Sequence, residues 1–266
     1  MFDIMRFQFR QLLRTRVVHL ANLLMLTVFF LMLFLDSGNS GNERQTLTDY
    51  LPLTMNLLTG ISVTAAAIMI GMVCGDDFAD KTINHELAAG RSRASSFFGR
   101  AVPVLIAAPL TVVFICAVPY VLYGALFGVG NAIPVSAIVQ RFLLMLLPLL
   151  RFSAFCILTV FVTKHQLAAI GASFLTMMIS LSAAMGSPQF ITHILRLHPC
   201  MLSLSNITEL SAFSSWRTYD LTLQNFYTYY PELSVSFIVT TVIVSLTMTA
   251  VYLLLGYHFF HTDDMN

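Results

Sequence analysis

The chain has 266 residues, of which 57% are hydrophobic and only 10% are charged. A soluble globular domain carries about 25% charged residues, so this composition excludes a soluble protein and indicates one that spans a membrane. The formal net charge is +1, and no basic run is long enough to predict nucleic-acid binding. The four cysteines lie far apart and predict neither a disulfide framework nor a metal site; they are Cys74, Cys116, Cys156 and Cys200.

The first predicted element is a helix over residues 1–16 that lies in the membrane interface. Its arginines recur every four residues and form one stripe, which we expect to reach lipid headgroups; they are Arg6, Arg10 and Arg14. A second, apolar stripe consists of Phe2, Met5, Phe9 and Leu12 or Leu13. The alternative is that these arginines are the ordinary positive flank of a first membrane span. The stretch does not have the pattern of a cleavable signal peptide.

Six apolar runs are long enough to cross a bilayer as helices, which takes about 20 residues each. They cover approximately residues 17–35, 53–74, 101–127, 137–163, 167–185 and 235–260. The predicted fold class is therefore an all-α integral membrane protein with one transmembrane domain over residues 1–266. Most lysines and arginines fall on one side of this topology, so we expect both termini to be cytoplasmic.

The charged segment, residues 75–100, separates the second and third runs and holds the densest charge in the chain. Its acidic residues precede its basic ones, which matches a helix dipole, and Gly90 is a natural helix stop. We expect a short amphipathic helix that docks a soluble partner; the alternative is a solvated loop. The predicted docking residues are Asp76, Asp77, Asp80, Lys81, Thr82, Ile83, Glu86, Leu87, Arg91 and Arg93.

A substrate path has few candidate residues. Asn56, Thr59 and Ser62 give the second run a mildly polar face, for which helix packing is the plainer interpretation. Arg151 is the one formal charge well inside a run. It either contacts an anionic substrate or a partner helix, or it snorkels to the outer membrane surface.

The outer segment, residues 186–234, is longer than a simple connection between helices needs. We expect it to pack on the outer half of the membrane or to re-enter it. Its tyrosines before the last run suit the membrane–water interface; they are Tyr227, Tyr229 and Tyr230.

The sequence carries no motif for catalysis or ATP binding, such as HExxH, GxSxG or GxxxxGK[ST]. All thirteen acidic residues lie outside the apolar runs, which argues against transport coupled to an ion on a buried carboxylate. We therefore predict that the chain is not an enzyme by itself, has no catalytic or metal-binding residues, and binds no cofactor. Energy for any transport would come from another protein.

The order of elements resembles the membrane subunit of a type-two ABC exporter, and in particular a bacterial half-permease. In that family an acidic cytosolic stretch leads into a short apolar helix, and a Ser-Arg pair precedes the third span. Residues 77–83 and 89–93 match this layout, and Lys81 stands where the family usually has glycine.

The resemblance implies a permease subunit in a bacterial plasma membrane that exports an amphipathic substrate, such as a peptide, an antibiotic or a lipid-like molecule. Two copies of a separate ABC ATPase would bind ATP and Mg and dock on the charged segment, which would be the coupling helix. A second permease chain, the same or homologous, would complete the pathway, and the outer segment would form a re-entrant helical cap. The alternative function is a non-transport membrane sensor or scaffold that docks a cytosolic partner through residues 75–100.

Overall fold

The computed structural model describes residues 2–14, 16–37, 46–130, 134–175, 216–220, 225–229, 233 and 235–262. The helices are α1 (Phe2–Arg14), α2 (Arg16–Ser37), α3 (Leu47–Ala79), α4 (Thr82–Ala88), α5 (Arg93–Phe127), α6 (Val135–Thr163) and α7 (Val235–Thr262). Residues 167–175 are also helical. Strands β1 (Trp216–Asp220) and β2 (Asn225–Tyr229) pair in antiparallel fashion.

Three of the described helices are long and apolar enough to cross a membrane: Arg93–Phe127, Val135–Thr163 and Ile238–Thr262. They coincide with the third, fourth and sixth predicted runs and suggest a membrane protein. The first and second runs lie within α2 and α3, and the fifth is helical over 167–175. The remaining part of the fifth run lies outside the described residues, and six crossings stay a prediction.

The outer segment is described mainly at strands β1 and β2. Trp216 pairs with Tyr229, and the register continues to Asp220 opposite Asn225. Aromatic and β-branched residues dominate both strands, and such residues favour extended backbone. In these two strands the backbone is therefore extended and not helical, and the re-entrant helical cap stays a prediction for the segment as a whole. Tyr230 and most of the other residues of the outer segment lie outside the described part of the chain.

Helices α3, α5, α6 and α7 form the core of the bundle, and α6 and α7 make the most extensive contact. Helix α1 packs against α5, and α2 packs against α3 and α5. Among the described side chains, the largest fully buried ones include two arginines, Arg100 and Arg151. The interior of the bundle is thus apolar with a few deeply placed charges.

Residues 164–166, between the fourth and fifth predicted runs, form a tight turn. Helix α6 ends at Thr163, and Lys164 adopts a left-handed conformation (φ 55°) in which its N–H donates to the carbonyl of Val160 at 2.8 Å. The turn then lies directly on α3, because a Cβ on either Gly71 or Gly75 would overlap the backbone of Gln166. Two glycines four residues apart therefore let the connection approach α3 closely.

Aromatic rings from several helices pack together at one end of the bundle. Phe161 of α6 lies with its ring centroid 5.3 Å from that of Phe78, 4.6 Å from Phe97 and 5.4 Å from Phe260. These rings come from α3, α5 and α7, so four helices meet in one cluster. At the same end, Nη1 of Arg93 donates to the carbonyl oxygens of Phe260 at 3.2 Å and His261 at 2.6 Å. Arg93 thereby satisfies carbonyls in the last turn of α7 that have no partner within the helix.

Candidate functional site

The charged segment folds as a helix–turn–helix connection between α3 and α5. Helix α3 continues past the apolar run to Ala79, and the chain reverses at Lys81, which is left-handed with φ 54°. Helix α4 follows, and Gly90 ends this region with φ 84°. Ser92 then caps α5, since its Oγ accepts from the N–H of Ser95 at 3.3 Å. The predicted short helix with a stop at Gly90 is present as α4.

The helix-dipole argument was wrong for Asp76 and Asp77. Asp76 and Asp77 lie in the last turn of α3 and not at the start of the short helix, because the chain turns only after them. A helix C-terminus carries partial negative charge and disfavours carboxylates. Another interaction is therefore needed to stabilise either of these two carboxylates.

For Asp77 that interaction is an ion pair with Arg100. Nε of Arg100 donates to Oδ2 of Asp77, and the two residues are only 1% and 4% exposed. Nη1 of Arg100 also donates to Oε2 of Glu86 at 2.9 Å and to Oγ of Ser96 at 2.6 Å. One guanidinium on α5 thus joins a carboxylate from α3 and another from α4.

Two neutral side chains complete the arrangement. Nε2 of Gln8, on α1, donates to Oδ2 of Asp77 at 2.8 Å, and Oγ of Ser96 donates to Oε2 of Glu86 at 3.1 Å. We call these five residues the buried network: Gln8, Asp77, Glu86, Ser96 and Arg100. It connects α1, α3, α4 and α5 through charge-assisted hydrogen bonds, which are the stronger class.

The predicted docking residues differ in how much of each side chain is exposed. Asp77 and Ile83 are buried, so neither can touch a partner directly. Asp76, Thr82, Glu86, Leu87 and Arg93 are half-buried. Asp80, Lys81 and Arg91 are exposed, as is His85, which was not predicted as a docking residue. We call these last four residues the exposed edge: Asp80, Lys81, His85 and Arg91.

The environment of Asp76 differs from that of Asp77. Partial burial raises the pKa of its carboxyl group, and the negative charges of Asp80 and Asp77 raise it further. Asp76 therefore carries an electrostatic cost in the folded state, whereas Asp77 has Arg100 as its counterion.

Arg151 lies past the midpoint of the 29-residue α6 and is completely buried. Tyr252 on the neighbouring α7 is close enough to interact with it electrostatically. Three hydroxyl side chains at four-residue spacing are also buried along α7: Thr241, Ser245 and Thr249. The charge therefore lies in the bundle interior and does not snorkel to the surface. Asn56, Thr59 and Ser62 lie on α3, on a stretch whose side chains are outside the described part of the structure.

Helix α1 has the predicted arginine stripe. Arg6, Arg10 and Arg14 are exposed, and they are flanked by the exposed rings of Phe2, Phe7 and Phe9. Ile4, Gln8 and Leu12 form the opposite, buried face, so α1 packs on the bundle through a stripe that only partly coincides with the predicted apolar one. An exposed face of arginines and aromatic rings suits a membrane interface.

Within the described residues, no three His, Cys, Asp or Glu side chains are placed to hold a metal ion together. The sequence matches no protein-family model, and no curated protein resembles it closely enough to identify a relative.

Proposed function

We propose that this chain is the membrane-spanning permease subunit of an ATP-driven exporter. In this proposal the six apolar runs all cross a bacterial plasma membrane, with both termini in the cytoplasm. The chain pairs with a second permease chain, and each chain docks one copy of a separate ABC ATPase, which binds ATP and Mg. The transported substrate is amphipathic, such as a peptide, an antibiotic or a lipid-like molecule.

The observation that carries the proposal is the way α4 is fastened to the long helices. Glu86 of α4 is tied to Arg100 of α5, and Arg100 is tied to Asp77 of α3. The Glu86–Arg100 pair is partly buried and the Arg100–Asp77 pair is buried. Such charge-assisted bonds resist separation, so a push on α4 would move α3 and α5 with it. A docking helix rigidly linked to spanning helices is what a permease needs in order to receive work from an ATPase.

The exposed edge supplies the contact surface in this mechanism. It presents one acidic and two basic side chains beside His85, without burying any of them. Such a mixed-charge edge can complement a protein groove and gives the contact specificity. The buried residues Asp77 and Ile83 then hold the exposed edge in position without contacting the partner themselves.

The backbone at Lys81 adds support for the resemblance. The family usually has glycine at this position, and Lys81 adopts the left-handed conformation that glycine enters without steric cost. The turn geometry is therefore compatible with the family layout in spite of the different residue.

The test is co-purification of the full chain with ATPase subunits encoded in the same organism. Reversing charge on the exposed edge with Asp80→Lys or Arg91→Glu should release the ATPase and abolish substrate-stimulated ATP turnover. Asp3→Lys is the matched control, because Asp3 is an exposed acid on α1, outside the charged segment. The control should retain the ATPase.

Two results would contradict the proposal. Full ATPase binding and transport by both charge-reversal variants would show that the exposed edge is not the docking surface. Recovery of a non-ATPase cytosolic protein that depends on the same residues, with no ATPase bound, would favour the sensor or scaffold.

A further inference from the structure

Helix α1 has two faces of different character. Ile4, Gln8 and Leu12, at four-residue spacing, are buried against the bundle. The exposed side carries three arginines and three aromatic rings: Arg6, Arg10, Arg14, Phe2, Phe7 and Phe9. Asp3 is the single acidic residue in the sequence of α1, so positive charge predominates on the exposed side.

The buried face of α1 lies very close to the backbone of α5. A Cβ added to Gly99 would lie 2.9 Å from both Cβ and Cγ2 of Ile4, so a larger residue there would force α1 to shift. Arg100, the residue after Gly99, joins the carboxylates of α3 and α4. The packing of α1 is therefore closest beside the centre of the buried network.

Gln8 connects α1 to that network directly. Its Nε2 donates to Oδ2 of Asp77 at 2.8 Å, and Nε of Arg100 donates to the same oxygen. Nη1 of Arg100 donates in turn to Oε2 of Glu86 on α4 at 2.9 Å. A continuous series of hydrogen bonds thus runs from α1 to α4, and its first three residues are buried.

The position of α1 and the stability of α4 are therefore linked. A helix of 13 residues is marginally stable by itself in water, so α1 depends on its packing against the bundle. If α1 leaves the bundle, Asp77 loses a buried hydrogen-bond donor, which is unfavourable. Any interaction that holds α1 in place consequently also stabilises the network that holds α4.

We propose that the exposed face of α1 binds the anionic surface of the surrounding membrane, and that this contact stabilises α4 through Gln8, Asp77 and Arg100. Arginines are attracted to anionic headgroups, and aromatic rings beside them suit the interface. The charge of the membrane thereby controls how well α4 is ordered. This inference concerns α4 without any bound partner, so it stands or falls independently of the ATPase.

The experiment is hydrogen–deuterium exchange of the full chain in nanodiscs of phosphatidylcholine, with or without phosphatidylglycerol of the same acyl chains. We expect the amides of α1 and α4 both to exchange more slowly in the anionic discs. Arg10→Gln and Arg14→Gln should each reduce the lipid effect on α1 about fivefold, the contribution of one basic residue near an anionic membrane. High salt should reduce it as well, because exposed charges are screened.

Gln8→Leu tests whether the effect passes through the buried network. It leaves every arginine of α1 in place, so α1 should still exchange more slowly in anionic discs while α4 no longer responds. Gln140→Leu is the matched control, since Gln140 is an exposed glutamine on α6. It should leave the response of α4 unchanged. Helix α7 is the internal reference, because α1 packs on α5 and α3.

Three results would overturn the proposal. One is equal exchange of α4 in the two kinds of disc for the unmodified chain. Another is a full response of α4 in Gln8→Leu, which would show that the effect does not pass through Gln8. The third is a lipid effect of the same size in α7 as in α4, which would indicate a general influence of the bilayer on the whole bundle.

Discussion

Arg100 on α5 and Asp77 on α3 form an ion pair that the surrounding helices bury almost completely. Burial removes both charges from water, and a single buried charge without its counterion is unfavourable by several kcal/mol. The pair therefore makes the junction of α3 and α5 dependent on both residues at once. Glu86 and Gln8 extend that dependence to α4 and α1.

The first prediction concerns this pair. Asp77→Asn should destabilise the protein by about 3 kcal/mol, because Arg100 then keeps only one carboxylate partner in a buried site. The measurement is thermal unfolding in detergent, followed with a thiol-reactive dye. This readout suits the chain because Cys74, Cys116 and Cys156 are buried thiols, outside any disulfide, that become reactive on unfolding.

A double-mutant cycle distinguishes pairing from general damage. Asp77→Asn combined with Arg100→Met should be less harmful than the sum of the two single changes, by about 2 kcal/mol. Asp80→Asn is the surface control and should change stability by no more than about 0.5 kcal/mol, since Asp80 is exposed. Strict additivity of the two buried substitutions would contradict the ion pair.

The second prediction concerns the two glycines of α3 that face the Gln166 turn. Gly71→Ala and Gly75→Ala should each destabilise the protein by about 1–3 kcal/mol, because the added methyl group meets backbone atoms that cannot rotate away. Gly171→Ala is the matched control. A Cβ there meets nothing within 4 Å, so alanine should be neutral or slightly stabilising as the better helix former. Equal effects at positions 71 and 171 would contradict the close packing of the turn on α3.

The third prediction concerns Lys81. Its left-handed backbone costs about 1–2 kcal/mol for a residue with a Cβ, so Lys81→Gly should raise stability by roughly 0.5–1 kcal/mol after the entropy of glycine is counted. Lys81→Ala removes the same amine but keeps the Cβ, and it should give no such gain. Thermal unfolding of the two variants side by side separates the backbone effect from the loss of charge. A gain with alanine equal to that with glycine would contradict the conformational argument.

Periodicity and hydropathy were sufficient to predict the helices. The run at 137–163 became α6 (Val135–Thr163), and the tight turn at Lys164 was visible as a short polar break in apolar sequence. These features depend on local composition, which one sequence reports directly. The paired strands β1 and β2 were missed because aromatic residues near a span were interpreted as interface anchors and not as strand formers.

The position of the candidate site was predictable from the sequence, but the contacts of its buried residues were not. The charged segment was evident from the density of charge, yet which carboxylates face inward depends on partners distant in sequence. Arg100 is 23 residues from Asp77, and Gln8 is 69 residues from it. One signal was available: Arg100 is followed at once by an apolar run, where an arginine needs a buried partner if its helix is packed.

The last prediction concerns pH and Asp76. Folding raises the pKa of this carboxyl group through partial burial and through the charges of Asp80 and Asp77. The folded protein therefore binds the proton of Asp76 more tightly than the unfolded chain does, and lowering the pH through that range favours folding at this residue. Above the raised pKa the carboxylate is charged in both states, so its cost to the folded state is fully present there. Asp76→Asn removes the charge and should raise the unfolding temperature at pH 7.

The difference in unfolding temperature between variant and unmodified protein should shrink toward about pH 4, near the pKa of an unperturbed aspartate. Thermal unfolding of both proteins across this pH range measures that difference directly, and a difference that stays constant or grows as the pH falls would contradict the raised pKa.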